Sequence, residues 1–257
     1  FADKNNQRHK PWLDQKISEI KWKFFERYME HLENSTDIAP RALAKIKSMS
    51  AKILSNIEDP KREDQEWDVR GMVVGEVQAG KTASYIALIN RAIDAGYKRI
   101  VVLCGLNNDL RSQTQQRIEE GVIGRDNSQT GGMNKIIGVG NIDGYDDIQN
   151  KVQIHTTRDD SGDFNTTRAR AFAPIGDAPV VLIVKKNVSV LENILLWIMR
   201  DTDQSFDENT SWDWSERLFQ DIKAMSADGN SLKTLAPKVK NKPLLLIDDE
   251  CDQASVD

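Results

Sequence analysis

The sequence predicts an α/β protein: a mainly parallel sheet flanked by helices, preceded by a helical N-terminal segment. Short aliphatic runs alternate with helical periodicities, and runs apolar at every position belong to strands covered on both faces. One such run, Met72-Val73-Val74, leads through a glycine-bounded loop directly into a helical pattern. Another, Leu244-Leu245-Leu246-Ile247, ends in adjacent carboxylates, Asp248-Asp249-Glu250.

Residues 1–64 read as a helical extension. Trp12, Ile17, Ile20, Phe24, Phe25, Tyr28, Met29 and Leu32 keep a three-to-four spacing until Asn34-Ser35-Thr36-Asp37 breaks it. A second helix starts near Pro40, runs through Leu43, Ile46, Met49, Ile53 and Ile57, and ends before Pro60. Its apolar stripe suits a packing appendage. Lys61 to Asp64 forms a linker; just beyond, Gln65 and Trp67 stand where a nucleotide base could be contacted, with packing the alternative for Trp67.

From 65 to 257 the pattern is strand and helix in turn. Met72–Val74 reads as a short buried strand, Thr82 to Ile93 as a helix packed on a sheet, and Gly96 as its C-cap. Arg99–Cys104 is a second buried strand, followed by Gly105-Leu106-Asn107-Asn108 and a polar helix from Asp109 to Glu120. Residues 121 to 135 read as a surface loop, Lys135–Ile142 as a strand, and 143 to 178 as polar, turn-rich chain. Pro179–Val184 is clearly a buried strand, with Lys185-Lys186-Asn187 at its C-terminal edge and an amphipathic helix from Leu191 to Met199. Residues 200 to 242 hold acidic loops around one helix, Trp214 to Met225; together with 121–178 they read as insertions.

Composition narrows the class. Apolar content of 39% with 29% charged residues describes a soluble globular protein, and no apolar run approaches the ~20 residues of a membrane span. Cys104 and Cys251 each end an apolar run and read as free thiols of a cytoplasmic protein. His9, His31 and His155 lack zinc-ligand spacing. A net charge of −5 provides no global basic field, so nucleic-acid binding would have to come from local groups. The N-terminus, FADKNNQRHK, has neither a signal-peptide core nor an initiator Met, which suggests a piece of a longer chain.

Two motifs carry chemistry. Gly75-Glu76-Val77-Gln78-Ala79-Gly80-Lys81-Thr82 matches the phosphate-binding pattern G-x-x-x-x-G-K-[ST]. Gly75 and Gly80 let the backbone turn so that successive N–H groups, including those of Gln78 and Ala79, face an anion. Lys81 adds a charge for the β- and γ-phosphates of ATP, the Thr82 hydroxyl can ligate Mg²⁺, and the helix beginning through Ala83 points its positive end at the same place. The second motif is the carboxylate-tipped strand, the companion such a loop needs. One carboxylate holds the Mg²⁺ shell and the next activates the attacking water. Asp249 is assigned to the metal and Glu250 to the water, with Asp248 the competing metal ligand.

The blocks GEVQAGKTASY, LRSQTQ, LIVKKN and IDDECDQAS, in that order, resemble the first RecA-like lobe of superfamily-two helicases and, more closely, the Z-one domain family. Asp249-Glu250-Cys251-Asp252 looks like a DExD box with cysteine in place of the usual Ala. The resemblance covers roughly 65–257 and implies a P-loop ATPase related to bacterial restriction and anti-phage defence, described in that family as putative endonucleases. It also implies a second RecA-like lobe in the full-length chain and possible defence-complex partners. ATP is sandwiched between two lobes in such enzymes, so this piece is expected to bind nucleotide and hydrolyse it poorly.

In helicases the loops at the C-terminal ends of the strands track a nucleic-acid backbone, which the resemblance implies is DNA here, and such tracking needs only donors and positive charge. By that resemblance the contacts are Asn107, Arg111, Ser112, Gln113 and Thr114, and Lys185, Lys186 and Asn187. Two other readings stay open. One is a nucleotide switch acting on protein partners without nucleic acid, which the net acidity favours. The other is the ATPase part of a nuclease, but Asp221-Ile222-Lys223 falls in a helical pattern and Asp159, Asp160 and Asp163 lie in a loop with no lysine nearby.

Overall fold

The computed structural model describes residues 11–35, 38–63, 67–74, 80–128, 135–172, 177–200 and 242–249, together with the single residue 220. Gly75 to Ala79 of the phosphate loop, Gln65, residues 201–219 and 221–241, Glu250, Cys251 and Asp252 lie outside these.

The described chain is α/β. Three helices come first: α1 (Leu13–Lys16), α2 (Lys23–Ser35) and α3 (Pro40–Asn56). Then follow α4 (Lys81–Ala95), β1 (Arg99–Cys104), α5 (Asn108–Ile118), β2 (Gln153–Ile154), α6 (Thr166–Ala171), β3 (Val180–Lys185), α7 (Val188–Met199) and β4 (Leu244–Asp248). The four strands form one sheet, ordered β2-β3-β1-β4, and every pairing is parallel. In the register, Cys104 stands opposite Lys185 and Leu103 opposite Asp248, so the strands end level with one another. The ends of β1, β3 and β4 therefore gather at one edge of the sheet.

β1 and β3 are buried along almost their whole length, as their unbroken aliphatic sequences require. One core face, containing Ile100, Val102, Val181 and Ile183, packs under α4 and the N-terminal helices. The other, containing Val101, Leu182 and Val184, packs on α6 and α7 around the fully buried Trp197.

Helices α2 and α3 share that first core with α4 and are tied to it by specific bonds. The Asp94 carboxylate of α4 accepts hydrogen bonds from the Phe24 and Phe25 amides at the start of α2, at 3.1 and 2.9 Å. It thereby caps a helix from outside that helix's own sequence. Arg91 donates from Nε to the Ser50 hydroxyl at 3.1 Å and lies 3.5 Å from the centroid of the Phe25 ring. The Tyr97 hydroxyl donates to the Glu58 carbonyl at 2.7 Å, and Trp12 Nε1 to the Ile57 carbonyl at 2.9 Å.

Three sequence expectations fail. Met72–Val74 is not a strand, and Met72 and Val74 are 79% and 77% exposed. An all-apolar trio gains burial only when a strand stands on each side, and these residues pair with none of the four. Lys135–Ile142 is not a strand either. It makes one isolated antiparallel bridge, Arg125 with Ile136, and then a 3₁₀ turn over Gly138–Asn141. Gly138 has φ +51°, outside the extended region, and a Cβ there would overlap the Glu120 carbonyl. Finally, β4 is less covered than β1 and β3. As the edge strand of the described sheet it leaves Leu244 and Leu246 exposed, at 38% and 56%.

The polar stretch 143–178 also does more than a surface insertion would. It supplies β2 and buries Ile148, Val152, Ile154 and Phe164. Where the β2 ladder stops, the Thr156 hydroxyl accepts from the Ile183 amide of β3 at 3.2 Å, so a side chain continues the edge.

Candidate nucleotide site

Helix α4 begins at Gly80, whose φ of +71° is a left-handed conformation that favours glycine. No side chain caps this terminus and its first turn carries no acidic residue. Lys81 is exposed and Thr82 half-buried, and among the described residues none lies within 4 Å of where a Cβ on Gly80 would stand. Helix starts ordinarily satisfy their first amides with a side-chain oxygen. Here the described residues supply none, which is the condition an incoming anion needs.

The carboxylates at the end of β4 come to the same helix. The Asp249 amide donates to the Leu103 carbonyl at 2.9 Å, which carries the β1–β4 ladder one residue past the strand and fixes the Asp249 backbone. Its carboxylate lies against the Tyr85 hydroxyl, with Cys104 and Thr114 beside them. Tyr85 is one turn along α4 from Lys81, about 6 Å in rise. Its buried hydroxyl has no hydrogen bond of good geometry, and burial, reinforced by the neighbouring Asp249 and Cys104, holds its proton on. Burial likewise pushes the Cys104 thiol up to about 12, so this free cysteine is inert at neutral pH.

Asp248 and Asp249 have separate surroundings. Lys186, at the end of β3, reaches across the end of β1 to Asp248, with Nζ 2.6 Å from the carboxylate oxygen. Asp248 is thus already matched to a cation, while Asp249 faces α4. Of the two candidate metal ligands, Asp249 is the one beside the helix that carries Thr82. The residues fit Mg²⁺ in this respect: the ion binds proteins through one or two carboxylates or hydroxyls and takes its remaining ligands from phosphate and water. Among the described residues no group of three or more His, Cys, Asp and Glu could hold a metal by itself. Glu250, the proposed water activator, and Gly75, Gln78 and Ala79 lie outside the described residues.

The strand-end residues assigned to nucleic acid do gather at one edge, but they divide in character. Asn107 caps α5 by accepting from the Asp109 amide at 2.9 Å, and Asn187 caps α7 by accepting from the Ser189 amide at 3.0 Å. Both stay exposed, as does Gln113. Lys185 is half-buried, 3.9 Å from Asp163, whose carboxyl burial pushes upward against the Phe164 amide, Arg111 and Lys185.

Arg111 and Thr114 point inward and are buried. The Arg111 guanidinium donates to the carbonyls of Thr157 at 2.7 Å, Asp159 at 2.6 Å and Arg158 at 3.5 Å. It pins the 157–159 loop and has no face toward a ligand. Lys186 is buried and engaged with Asp248. Trp67 packs edge-on against Tyr97, beyond the C-terminal end of α4, with a helix of about 20 Å between it and Lys81. Of its two readings, packing is the one observed.

Sequence reasoning missed Arg117. On the last turn of α5, its Nη1 lies 3.4 Å from the Thr82 hydroxyl. Only the tertiary fold brings it there.

No protein-family model, no curated protein and no solved structure matches the chain. Among the described residues no helix is long and apolar enough to cross a membrane.

Proposed function

We propose that the chain is the ATP-binding and hydrolysing lobe of a superfamily-two helicase-like protein of the Z-one domain type, acting on DNA in bacterial restriction or anti-phage defence. The observation that carries the nucleotide part is the approach of Asp249 to α4, the helix opened by Gly80-Lys81-Thr82. Asp249 lies 168 positions from Lys81 in sequence, and its nearness to Tyr85, on the same helix as Lys81 and Thr82, supports the reading that the two motifs act together. A bound magnesium ion would neutralise charge on the β- and γ-phosphates. Lys81 and the uncapped amides of α4 hold the phosphate chain, Thr82 and Asp249 hold the ion, and Lys186 keeps Asp248 out of that role. Glu250 takes the proton of the attacking water.

The DNA part rests on Asn107, Gln113, Lys185 and Asn187, which stand at the strand-end edge, and on the resemblance of the motif order. A second reading, a nucleotide switch without nucleic acid, is favoured by the internal engagement of Arg111 and Lys186 and by the net charge of −5. ATPase activity of the full-length protein, measured with and without single- and double-stranded DNA, separates the two. Stimulation by DNA supports the motor; DNA-indifferent hydrolysis supports the switch; absence of hydrolysis under all conditions overturns both.

A further inference from the structure

Helix α3 packs on α4 through Leu43, Ile46, Ser50 and Leu54, which are buried. At 3.6 residues per turn the opposite face is Arg41, Lys45, Ser48, Lys52 and Asn56, and all five are exposed. The helix carries Arg41, Lys45, Lys47 and Lys52 but no Asp or Glu, in a chain where 40 acidic residues outnumber 35 basic ones. Exposed helix faces ordinarily mix the two signs about one turn apart. The acids that adjoin α3 are already matched: Glu33 to Lys47 at 3.0 Å, Glu58 to Arg62 at 2.9 Å and Asp59 to Lys16 at 2.5 Å. Among the described residues Arg41, Lys45 and Lys52 form no ion pair. Three cations of one face thus point outward with no internal partner.

We propose that the outward face of α3 is a docking surface for the phosphate backbone of DNA. The choice of DNA rests on the reading given above, which this inference deepens; none of the contacts belongs to the nucleotide site. What the face lacks argues for a polyanion. No aromatic or large aliphatic side chain of α3 is exposed. A protein partner needs a buried anchor of that kind, and a membrane surface an apolar wedge. Arg41 and Lys45 are one turn apart and Lys45 and Lys52 two, so the three span about 16 Å of helix. One DNA strand carries about five phosphates in that length. Ser48, the small residue between Lys45 and Lys52, leaves room for a strand to approach, and its hydroxyl can donate to a phosphate oxygen. Such contacts hold the polymer without reading its sequence.

The test is fluorescence anisotropy of the 257-residue protein with a labelled DNA single strand and its duplex across a salt series. Wild type is compared with the neutralised triple Arg41→Gln, Lys45→Gln, Lys52→Gln, the charge-keeping triple Arg41→Lys, Lys45→Arg, Lys52→Arg, and Lys185→Gln at the strand-end edge. The neutralised triple is expected to bind about 10-fold or more weakly at low salt. Its slope of log affinity against log salt becomes shallower by about 2 to 3, from about 0.7 to 0.9 per lost phosphate contact. The charge-keeping triple retains the wild-type slope, and thermal midpoints stay unchanged because all three side chains are exposed. Wild-type affinity and slope in the neutralised triple overturn this inference; a loss in Lys185→Gln beside them shows that the DNA reading survives. Equal losses in both triples with lowered midpoints assign these side chains to packing and overturn it too. Tighter binding to poly-glutamate or to phosphatidylserine vesicles than to DNA overturns DNA as the occupant. No DNA binding by the wild type overturns the DNA reading and this inference with it.

Discussion

Replacing Arg111 separates its two possible roles by magnitude. The side chain is fully buried, and its guanidinium makes two short bonds, 2.7 Å to the Thr157 carbonyl and 2.6 Å to the Asp159 carbonyl, with a third at 3.5 Å. Hydrogen bonds to a charged group contribute about 1.5–3 kcal/mol each. Arg111→Ala loses the two good ones, leaves buried carbonyls without a donor, and removes a cation near the buried Asp163. Removing one partner of a buried charged network costs about 3–5 kcal/mol. With a urea slope of about 3 kcal/mol/M, the unfolding midpoint should fall by about 1 M or more. Arg111→Lys keeps the charge but not the fork, and should land between wild type and Ala. Urea titrations followed by far-UV circular dichroism measure this directly. An Arg111→Ala protein with an unchanged midpoint and weakened DNA binding would refute the reasoning and return Arg111 to the nucleic-acid surface.

Four other substitutions probe different parts of the account. Asp248→Asn breaks the ion pair with Lys186; with the Asp248 side chain 43% exposed the cost should be about 1 kcal/mol or less, whereas Asp249→Asn should leave stability alone and abolish the magnesium dependence of ATP binding, both read by thermal melts and titration. Glu250→Gln in the full-length protein should retain ATP while stopping hydrolysis; a normal turnover rate would move the water-activating role to Asp252. His155, stacked on Phe172 at 4.3 Å, has its pKa lowered to about 4, chiefly by burial and further by Arg99 and Arg168. The unfolded chain therefore takes up the proton near 6.5 and the folded one only near 4, so this residue's contribution is full above 6.5 and is lost as pH falls toward 4, by about 3 kcal/mol at most. Asp94, raised to about 7 by burial, acts in the opposite sense, so the quantity to measure is the difference between wild type and His155→Phe in urea midpoint across pH 4 to 7.

The parts legible in the sequence are those where local pattern and tertiary need coincide. β1 and β3 are solid aliphatic runs because both faces are covered, and α4 ends at Gly96 because φ +119° there favours glycine. The misread parts depend on neighbours that sequence does not name. Met72–Val74 has the composition of a buried strand but pairs with none of the described ones. Gly138 turns a β-like run into a 3₁₀ turn because the Glu120 backbone passes too close for a Cβ. Helix α5 looks like a surface helix, yet Arg111, Gln115 and Glu119 face inward because the 155–158 loop supplies their partners. Gln115 exchanges hydrogen bonds with Thr156, and Arg158 donates to Glu119 at 2.6 Å. The same helix puts Arg117 beside Thr82, 35 residues earlier in the sequence, a proximity no local pattern announces.

The proposed nucleotide site stands or falls on Lys81, an exposed side chain whose loss should not disturb folding. Calorimetric titration of magnesium-ATP into wild type and Lys81→Ala, at matched thermal stability, measures it most directly. Saturable one-to-one binding by the wild type that disappears in the variant is the predicted result. Equal heats in the two proteins, or none in the wild type, would contradict it.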